Sequence, residues 1–277
     1  MRHSLPGKLG EILIDVRTPP HHPLGPAVVV LHGFKGFKDW GMFPAFADRL
    51  AEAGFTAVSF NTSGSGVDDG GHFSRLDRFR RNSFSAEIAD LLSVLAALEA
   101  GKLGVPNPSA LAVVGHSRGG GIAILAARES PRIRALVTWS AIATVRRWTQ
   151  GELARWRRDG FLSVLNTRTG EQLPLGPDTL HDIEKHAEGR LNIERAASEL
   201  RIPWLLVHGA ADESVPLAEA EALAAAAPPT TKTLFIAGAG HTYGAAHPFT
   251  GMTPALDLLF AESIGWLGSK LRPPGRD

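Results

Sequence analysis

The stretch Ala110-Leu111-Ala112-Val113-Val114-Gly115-His116-Ser117-Arg118-Gly119-Gly120-Gly121-Ile122-Ala123-Ile124-Leu125-Ala126-Ala127-Arg128 decides how the chain is read. It opens as an apolar, β-prone run and closes as a helix-like run. Between them, Gly115-His116-Ser117-Arg118-Gly119 has the spacing G-x-S-x-G. Strand, G-x-S-x-G and helix together are the setting of a sharp turn that lifts a serine hydroxyl above a sheet edge. Side chains two residues either side of the serine would clash in so tight a turn, and glycine removes the Cβ there. A chance Gly-Ser loop would carry the same letters; the flanking strand, the helix and a further glycine at Gly120 argue against one.

Outward from this point, short apolar runs alternate with helical stretches. The strand candidates are Glu11–Val16, Ala27–Leu31, Thr56–Phe60, Ala110–Val114, Ala135–Trp139, Trp204–Val207 and Thr233–Ile236. Most are continuous Val/Ile/Leu runs, as expected of strands buried on both faces of a parallel sheet. The helix candidates are Met42–Ala53, Ser83–Ala100, Gly119–Arg128, Leu217–Ala226 and Pro254–Ser269. This alternation predicts an α/β fold with a doubly wound, mostly parallel sheet. Chemistry in such sheets lies at the carboxyl ends of the strands.

From about Ile142 to Ala196 the rhythm breaks. Arg146–Arg158 reads as a basic amphipathic helix carrying Trp148 and Trp156. Phe161–Leu175 reads as a hairpin around Asn166-Thr167-Arg168-Thr169-Gly170-Glu171. These features predict a core of residues 1–141 and 197–277, with residues 142–196 inserted as a small cap.

At 277 residues the chain fits one large α/β domain. Apolar residues at 44% and charged residues at 21% place it among ordinary globular proteins. A net charge of +1 gives no global field toward nucleic acid or an acidic membrane, so neither is expected as a partner. Cysteine is absent, which removes disulfides, thiolate metal sites and cysteine nucleophiles, and fits a reducing, cytoplasmic setting. Met1–Lys8 has no apolar core, so it does not read as a secretory signal. No run of 18 apolar residues predicts a membrane span. The tail Arg272–Asp277 reads as a frayed end. His21-His22 beside Pro19-Pro20 reads as a surface turn, with a metal site as the alternative.

A serine is a weak nucleophile unless a base takes its proton and a third group orients that base. Two later loops supply both, each directly after a strand. Trp204–Val207 runs into His208-Gly209-Ala210-Ala211-Asp212-Glu213-Ser214-Val215-Pro216, where Asp212 is the candidate acid. A helix N-cap is its alternative role, and Glu213 is the alternative acid. Thr233–Ile236 runs into Ala237-Gly238-Ala239-Gly240-His241-Thr242-Tyr243, where His241 is the candidate base and His247 its rival. An oxyanion needs two fixed N–H donors. Arg118 N–H is one by its place after the serine. Phe34 N–H, in His32-Gly33-Phe34-Lys35-Gly36-Phe37-Lys38 after Ala27–Leu31, is the other.

These segments, in this order, resemble the α/β-hydrolase superfamily. The resemblance spans roughly Ala27 to Leu267 and is greatest to cinnamoyl/feruloyl esterase and dienelactone-hydrolase-like members, and to serine aminopeptidase-like hydrolases. The chain order Ser117, Asp212, His241 is that of the superfamily's triad. The resemblance implies a serine hydrolase without metal or other cofactor. His241 would take the Ser117 proton, Asp212 would orient the imidazole, and the Phe34 and Arg118 N–H groups would hold the oxyanion. Two departures stand out. Arg118 is bulky where such enzymes often carry glutamine or methionine. Asn61-Thr62-Ser63-Gly64-Ser65-Gly66 replaces a more charged loop; it also lacks the lysine of a phosphate-binding loop.

On the substrate side, Trp148, Trp156, Phe161 and Leu165 are candidate pocket residues, with packing of the cap as their alternative role. Arg146, Arg147, Arg155, Arg157 and Arg158 read as a solvated face, or as a preference for anions. Asp68-Asp69-Gly70-Gly71 reads as a turn near the site mouth. The expected partner is a small-molecule carboxylic ester, with an aromatic acyl part as one option; a peptidase or thioesterase is the second reading, and a hydrolase fold that binds without turnover the third. The sequence leaves the oligomeric state open.

Overall fold

The structure is a computed structural model that describes residues 1–20, 25–166 and 170–271. The expected His21-His22 turn, Thr167–Thr169 of the expected hairpin turn and the expected frayed end Arg272–Asp277 fall outside the described residues.

The chain opens with β1 (Arg2–Pro6), β2 (Glu11–Arg17), β3 (Ala27–Leu31), α1 (Met42–Glu52) and β4 (Thr56–Asn61). It continues through α2 (Leu76–Arg81), α3 (Phe84–Glu99), β5 (Leu111–His116), α4 (Arg118–Glu129) and β6 (Ile133–Trp139). Next come α5 (Gln150–Asp159), β7 (Leu162–Leu165), β8 (Gln172–Leu175), α6 (Pro177–His186) and α7 (Ile193–Glu199). The chain then returns to the main sheet with β9 (Trp204–Gly209), α8 (Leu217–Ala226), β10 (Lys232–Ile236) and α9 (Pro254–Leu271).

Eight strands form one sheet in the order β1-β2-β4-β3-β5-β6-β9-β10. The pairs from β4 to β10 are parallel; β1–β2 and β2–β4 are antiparallel. The expected α/β fold with a mostly parallel sheet is therefore the one observed. Every residue of β3, β5 and β9 is buried. Their side chains alternate between two apolar layers: Ala27, Val29 and Leu31 face one, Val28 and Val30 the other. Burial on both faces is why these strands read as unbroken apolar runs. The first layer is completed by α3, α4, α7 and α8, the second by α1 and α9.

Strand β1 is unforeseen in the sequence. It alternates exposed and half-buried residues and pairs along β2 from Arg2↔Asp15 to Pro6↔Glu11. An edge strand with one covered face lacks the continuous apolar signal of the central strands.

Between β6 and β9 lie α5, the two-stranded β7–β8 sheet, α6 and α7. Helix α5 begins at Gln150, four residues after the predicted Arg146. The cause is a capping box: Thr149 Oγ1 accepts from Glu152 N–H at 3.2 Å, and Glu152 Oε2 accepts from Thr149 N–H at 2.8 Å. The segment docks on the start of α3, where Asp182 accepts from Ser85 N–H at 2.8 Å and from the Ser85 hydroxyl at 2.6 Å. Helix α7 packs against α4, with Ile193, Ala196 and Ala197 buried in the same apolar layer.

Candidate active site

Ser117 stands between β5 and α4 with φ 58° and ψ −122°. A non-glycine residue enters that region only when its surroundings enforce it. Here the backbone is tied on both sides. Ser117 N–H donates to Trp139 O at 2.8 Å, and Ser117 O accepts from Gly120 N–H at 3.0 Å. The elbow glycines are required by contact: a Cβ at Gly115 would lie 2.4 Å from Gly119 O, and one at Gly119 would lie 2.3 Å from His32 O. The second distance shows how closely the loop after β3 approaches the elbow.

Asp212 and His241 meet across the loops that follow β9 and β10. His241 Nδ1 lies 2.8 Å from Asp212 Oδ2; a carboxylate only accepts, so Nδ1 carries the proton. Asp212 Oδ1 accepts two backbone N–H groups, from Ser214 and Val215, each at 2.9 Å. Burial alone would raise the Asp212 carboxyl. The hydrogen bond from His241, the Val215 N–H, the His241 charge and the Ser140 hydroxyl outweigh burial and lower it from 3.8 to about 2.

The alternatives raised by the sequence differ in their surroundings, though His247 lines the same cavity as Ser117 and His241. Asp212 does not cap α8, whose N-cap is Pro216 and has no side-chain cap. Glu213 is exposed. His247 Nδ1 accepts Gly41 N–H at 3.1 Å, and its ring stacks on Trp40 at a centroid distance of 6.3 Å.

Ser117 and His241 line one cavity of about 890 Å³, with Gly33, Phe34, Arg118 and Trp148 also in its wall. Trp148 packs edge-on against Trp156, 5.1 Å between ring centroids. Trp156 is behind it, buried, and donates from Nε1 to Gly176 O at 3.2 Å. Phe161 and Leu165 are exposed and lie outside the cavity wall, Phe161 under the Arg80 guanidinium. Of the four predicted pocket residues, the structure brings only Trp148 to the cavity. Of the arginine run, only Arg147 lines it; Arg146, Arg157 and Arg158 are exposed and pair with Glu188, Glu184 and Asp159. Asp68 closes its loop by accepting from Gly70 N–H at 2.9 Å and the Ser74 hydroxyl at 2.8 Å.

The Arg118 side chain is buried rather than solvated. Its guanidinium pairs with Glu87 (Nη2 to Oε1, 2.9 Å) and lies 3.8 Å from the Phe84 ring centroid and 5.4 Å from that of Phe34. Glu87 also accepts from Asn82 Nδ2 at 2.6 Å. Burial pushes the Glu87 carboxyl up, against the pull of Arg118 and Asn82. The side chain of the residue after Ser117 thus braces Phe34, the residue whose N–H is the other oxyanion candidate.

Sequence reasoning missed Glu87, Ser140, His208 and Tyr243. His208 donates from Nε2 to Val215 O at 2.9 Å and so braces the Asp212 turn. Only Tyr243, the single tyrosine and two residues after His241, carried any signal. Among the described residues no three His, Asp or Glu side chains cluster as a metal-ligand set, and no helix is long and apolar enough to cross a membrane.

The sequence profile of the family described as "Serine aminopeptidase, S33" matches residues 23–171. An uncharacterized 31.7 kDa protein from the traX-finO intergenic region of Escherichia coli is 27% identical over 209 residues, covering 72% of this chain and 70% of that protein. The 2,6-dihydropseudooxynicotine hydrolase of Paenarthrobacter nicotinovorans is 23% identical over 226 residues, covering 77% of this chain and 53% of that protein. Among solved structures, ferulic acid-bound Est1E from Butyrivibrio proteoclasticus superposes with a TM-score of 0.73 at 19% identity, covering 94% of this chain and 95% of that one. With the strand order and the loop positions above, the matched profile places the chain in the serine aminopeptidase S33 family of α/β hydrolases.

Proposed function

We propose that this hydrolase cleaves small carboxylic esters through an acyl-enzyme on Ser117. The observation that carries the reading is the 2.8 Å Asp212–His241 bond at the cavity that Ser117 also lines. In this reading His241 takes the Ser117 proton as the hydroxyl attacks the acyl carbon. Asp212 fixes the proton on Nδ1 and stabilises the imidazolium. The Phe34 and Arg118 N–H groups hold the oxyanion; Arg118 N–H opens α4, where first-turn donors have no intrahelical partner. The alcohol leaves with the proton from His241, and water then releases the acid by the same base. Residues 142–196 act as the cap, with Trp148 on its cavity side. The cysteine-free composition supports a cytoplasmic setting.

The family description favours a second reading, an aminopeptidase. Such an enzyme must neutralise a substrate ammonium. Among the described residues lining the cavity none is Asp or Glu, Lys35 is cationic, and Arg118 and Arg147 are ion-paired with Glu87 and Glu219. That lining supports the ester reading over the aminopeptidase. The test is a para-nitrophenyl ester panel run beside aminoacyl anilides on wild type and Ser117→Ala. The reading expects ester turnover in excess of anilide turnover, with kcat lowered on the order of 10⁵–10⁶-fold by the substitution. Anilide preference would favour the peptidase, and ester turnover surviving in Ser117→Ala would remove the serine mechanism.

A further inference from the structure

The stretch after β6 touches the nucleophile elbow, and the turn after β9 carries Asp212. One ion pair is fastened to both. Glu219, in the first turn of α8, pairs through Oε1 with Arg147 Nη1 and accepts Ala143 N–H on Oε2 at 2.8 Å. Arg147 Nη2 donates to Ser214 O at 3.0 Å.

Each end of the pair lies one further bond from a reacting residue. Beside Ala143, Ile142 N–H donates to Ser117 O at 3.3 Å. At the other end, Ser214 N–H donates to Asp212 Oδ1 at 2.9 Å, which leaves Oδ2 for His241 at 2.8 Å.

The residue types suit this task. A guanidinium offers Nη1 and Nη2 in one rigid plane, so it can hold a carboxylate and a carbonyl at a fixed separation; a lysine ammonium is a single point. Glu219 likewise gives each of its two oxygens a different donor. Ala211, Glu213 and Ser214 are exposed, so packing does little to hold that side of the Asp212 turn, and the bond from Arg147 supplies the restraint. The Arg147 and Glu219 side chains are 26% and 18% exposed. A shielded pair that also binds two backbone groups is a network, unlike an isolated surface pair of little worth.

We propose that Arg147 and Glu219 are positioning residues: they clasp the nucleophile elbow to the acid turn, so that Asp212 holds His241 toward Ser117. This deepens the proposed function and rests on Ser117, Asp212 and His241 being its reacting set. It also gives Arg147, which lines the cavity, a task other than binding a substrate anion.

The test uses Arg147→Met, Arg147→Lys, Glu219→Gln and the Arg147→Met/Glu219→Gln double variant in the full chain. The substrates are para-nitrophenyl butyrate and the negatively charged mono-para-nitrophenyl ester of adipic acid. Arg147→Met lowers kcat about tenfold on both esters and leaves KM within about twofold. Arg147→Lys reaches one of the two acceptors and recovers part of the loss. Glu219→Gln keeps one acceptor oxygen and loses less than Arg147→Met. The double variant is no worse than Arg147→Met, because both act along one path. A ¹H–¹⁵N NMR correlation of the His241 ring nitrogens, taken without substrate, shifts in Arg147→Met. Arg146→Met removes an equal charge from the exposed pair with Glu188 and moves neither kcat nor that signal.

A KM raised on the charged ester alone, with kcat kept, would make Arg147 a ligand for substrate anions and overturn the proposal. So would kcat losses that add in the double variant, or a lowered Tm with kcat and the His241 signal unmoved. If the wild type turns over neither ester, the esterase reading falls and the His241 signal decides the clasp: moved by Arg147→Met it stands, unmoved it falls. An unmoved signal beside intact ester turnover sinks the clasp alone. Should Arg147→Met fail to fold, Arg147→Lys and Glu219→Gln carry the same test.

Discussion

Replacing Asp212 by Asn swaps one carboxylate oxygen for an amide, and the structure dictates which one. Oδ1 accepts two backbone N–H groups at 2.9 Å each, so the amide oxygen must stay there. The reverse orientation would set an NH₂ group against two donors. The amide nitrogen therefore faces His241 Nδ1, where the acid sits 2.8 Å away in wild type. His241 must then accept at Nδ1 and carry its proton on Nε2, the nitrogen needed to receive the Ser117 proton. By analogy with serine proteases, the wrong tautomer costs about 10⁴ in kcat, or about 5.5 kcal/mol of transition-state stabilisation. The variant also loses a charge whose folded-state pKa is depressed from 3.8 to about 2. A depressed carboxylate stabilises the fold above its unfolded pKa, and that contribution disappears as pH falls from about 4 to about 2. Its size is roughly 2 kcal/mol. The assay pairs ester kinetics with denaturation at pH 7 and pH 3. A folded Asp212→Asn enzyme retaining more than about a hundredth of wild-type kcat would refute the reasoning, as would a larger loss in Glu213→Gln.

Other outcomes follow from the same contacts. Glu87→Ala leaves the buried Arg118 guanidinium unpaired, and denaturant titration should show a loss of about 3–5 kcal/mol; a change under about 1 kcal/mol would mean the pair is not needed to hold Arg118. Gly119→Ala places a Cβ 2.3 Å from the His32 carbonyl oxygen, so the loop bearing Phe34 must shift. Ester activity and Tm should both fall, and a variant with wild-type values of both would contradict the packing described.

The central strands and the elbow were legible because both leave dense local signals. Doubly buried strands leave unbroken apolar runs, and the elbow needs glycines at fixed offsets from Ser117. Asp212 and His241 were legible through their places after β9 and β10. Strand β1 was not, since an edge strand with one covered face has no such run. The role of the Arg118 side chain was not legible either, because its partner Glu87 sits on α3, far away in sequence. Trp156, Phe161 and Leu165 looked like pocket residues by composition alone; where they point depends on how the inserted segment docks on α3, a tertiary fact. Ser140 carries no motif and Tyr243 offers only its place two residues after His241; their 3.1 Å contact is a tertiary fact.

The most direct measurement is peptide mapping by mass spectrometry after reaction of the folded protein with a fluorophosphonate. The account predicts one phosphonyl adduct, on the peptide containing Ser117, and none when His241 is replaced by Ala. An unmodified Ser117 peptide, or an adduct on a different residue, would contradict it.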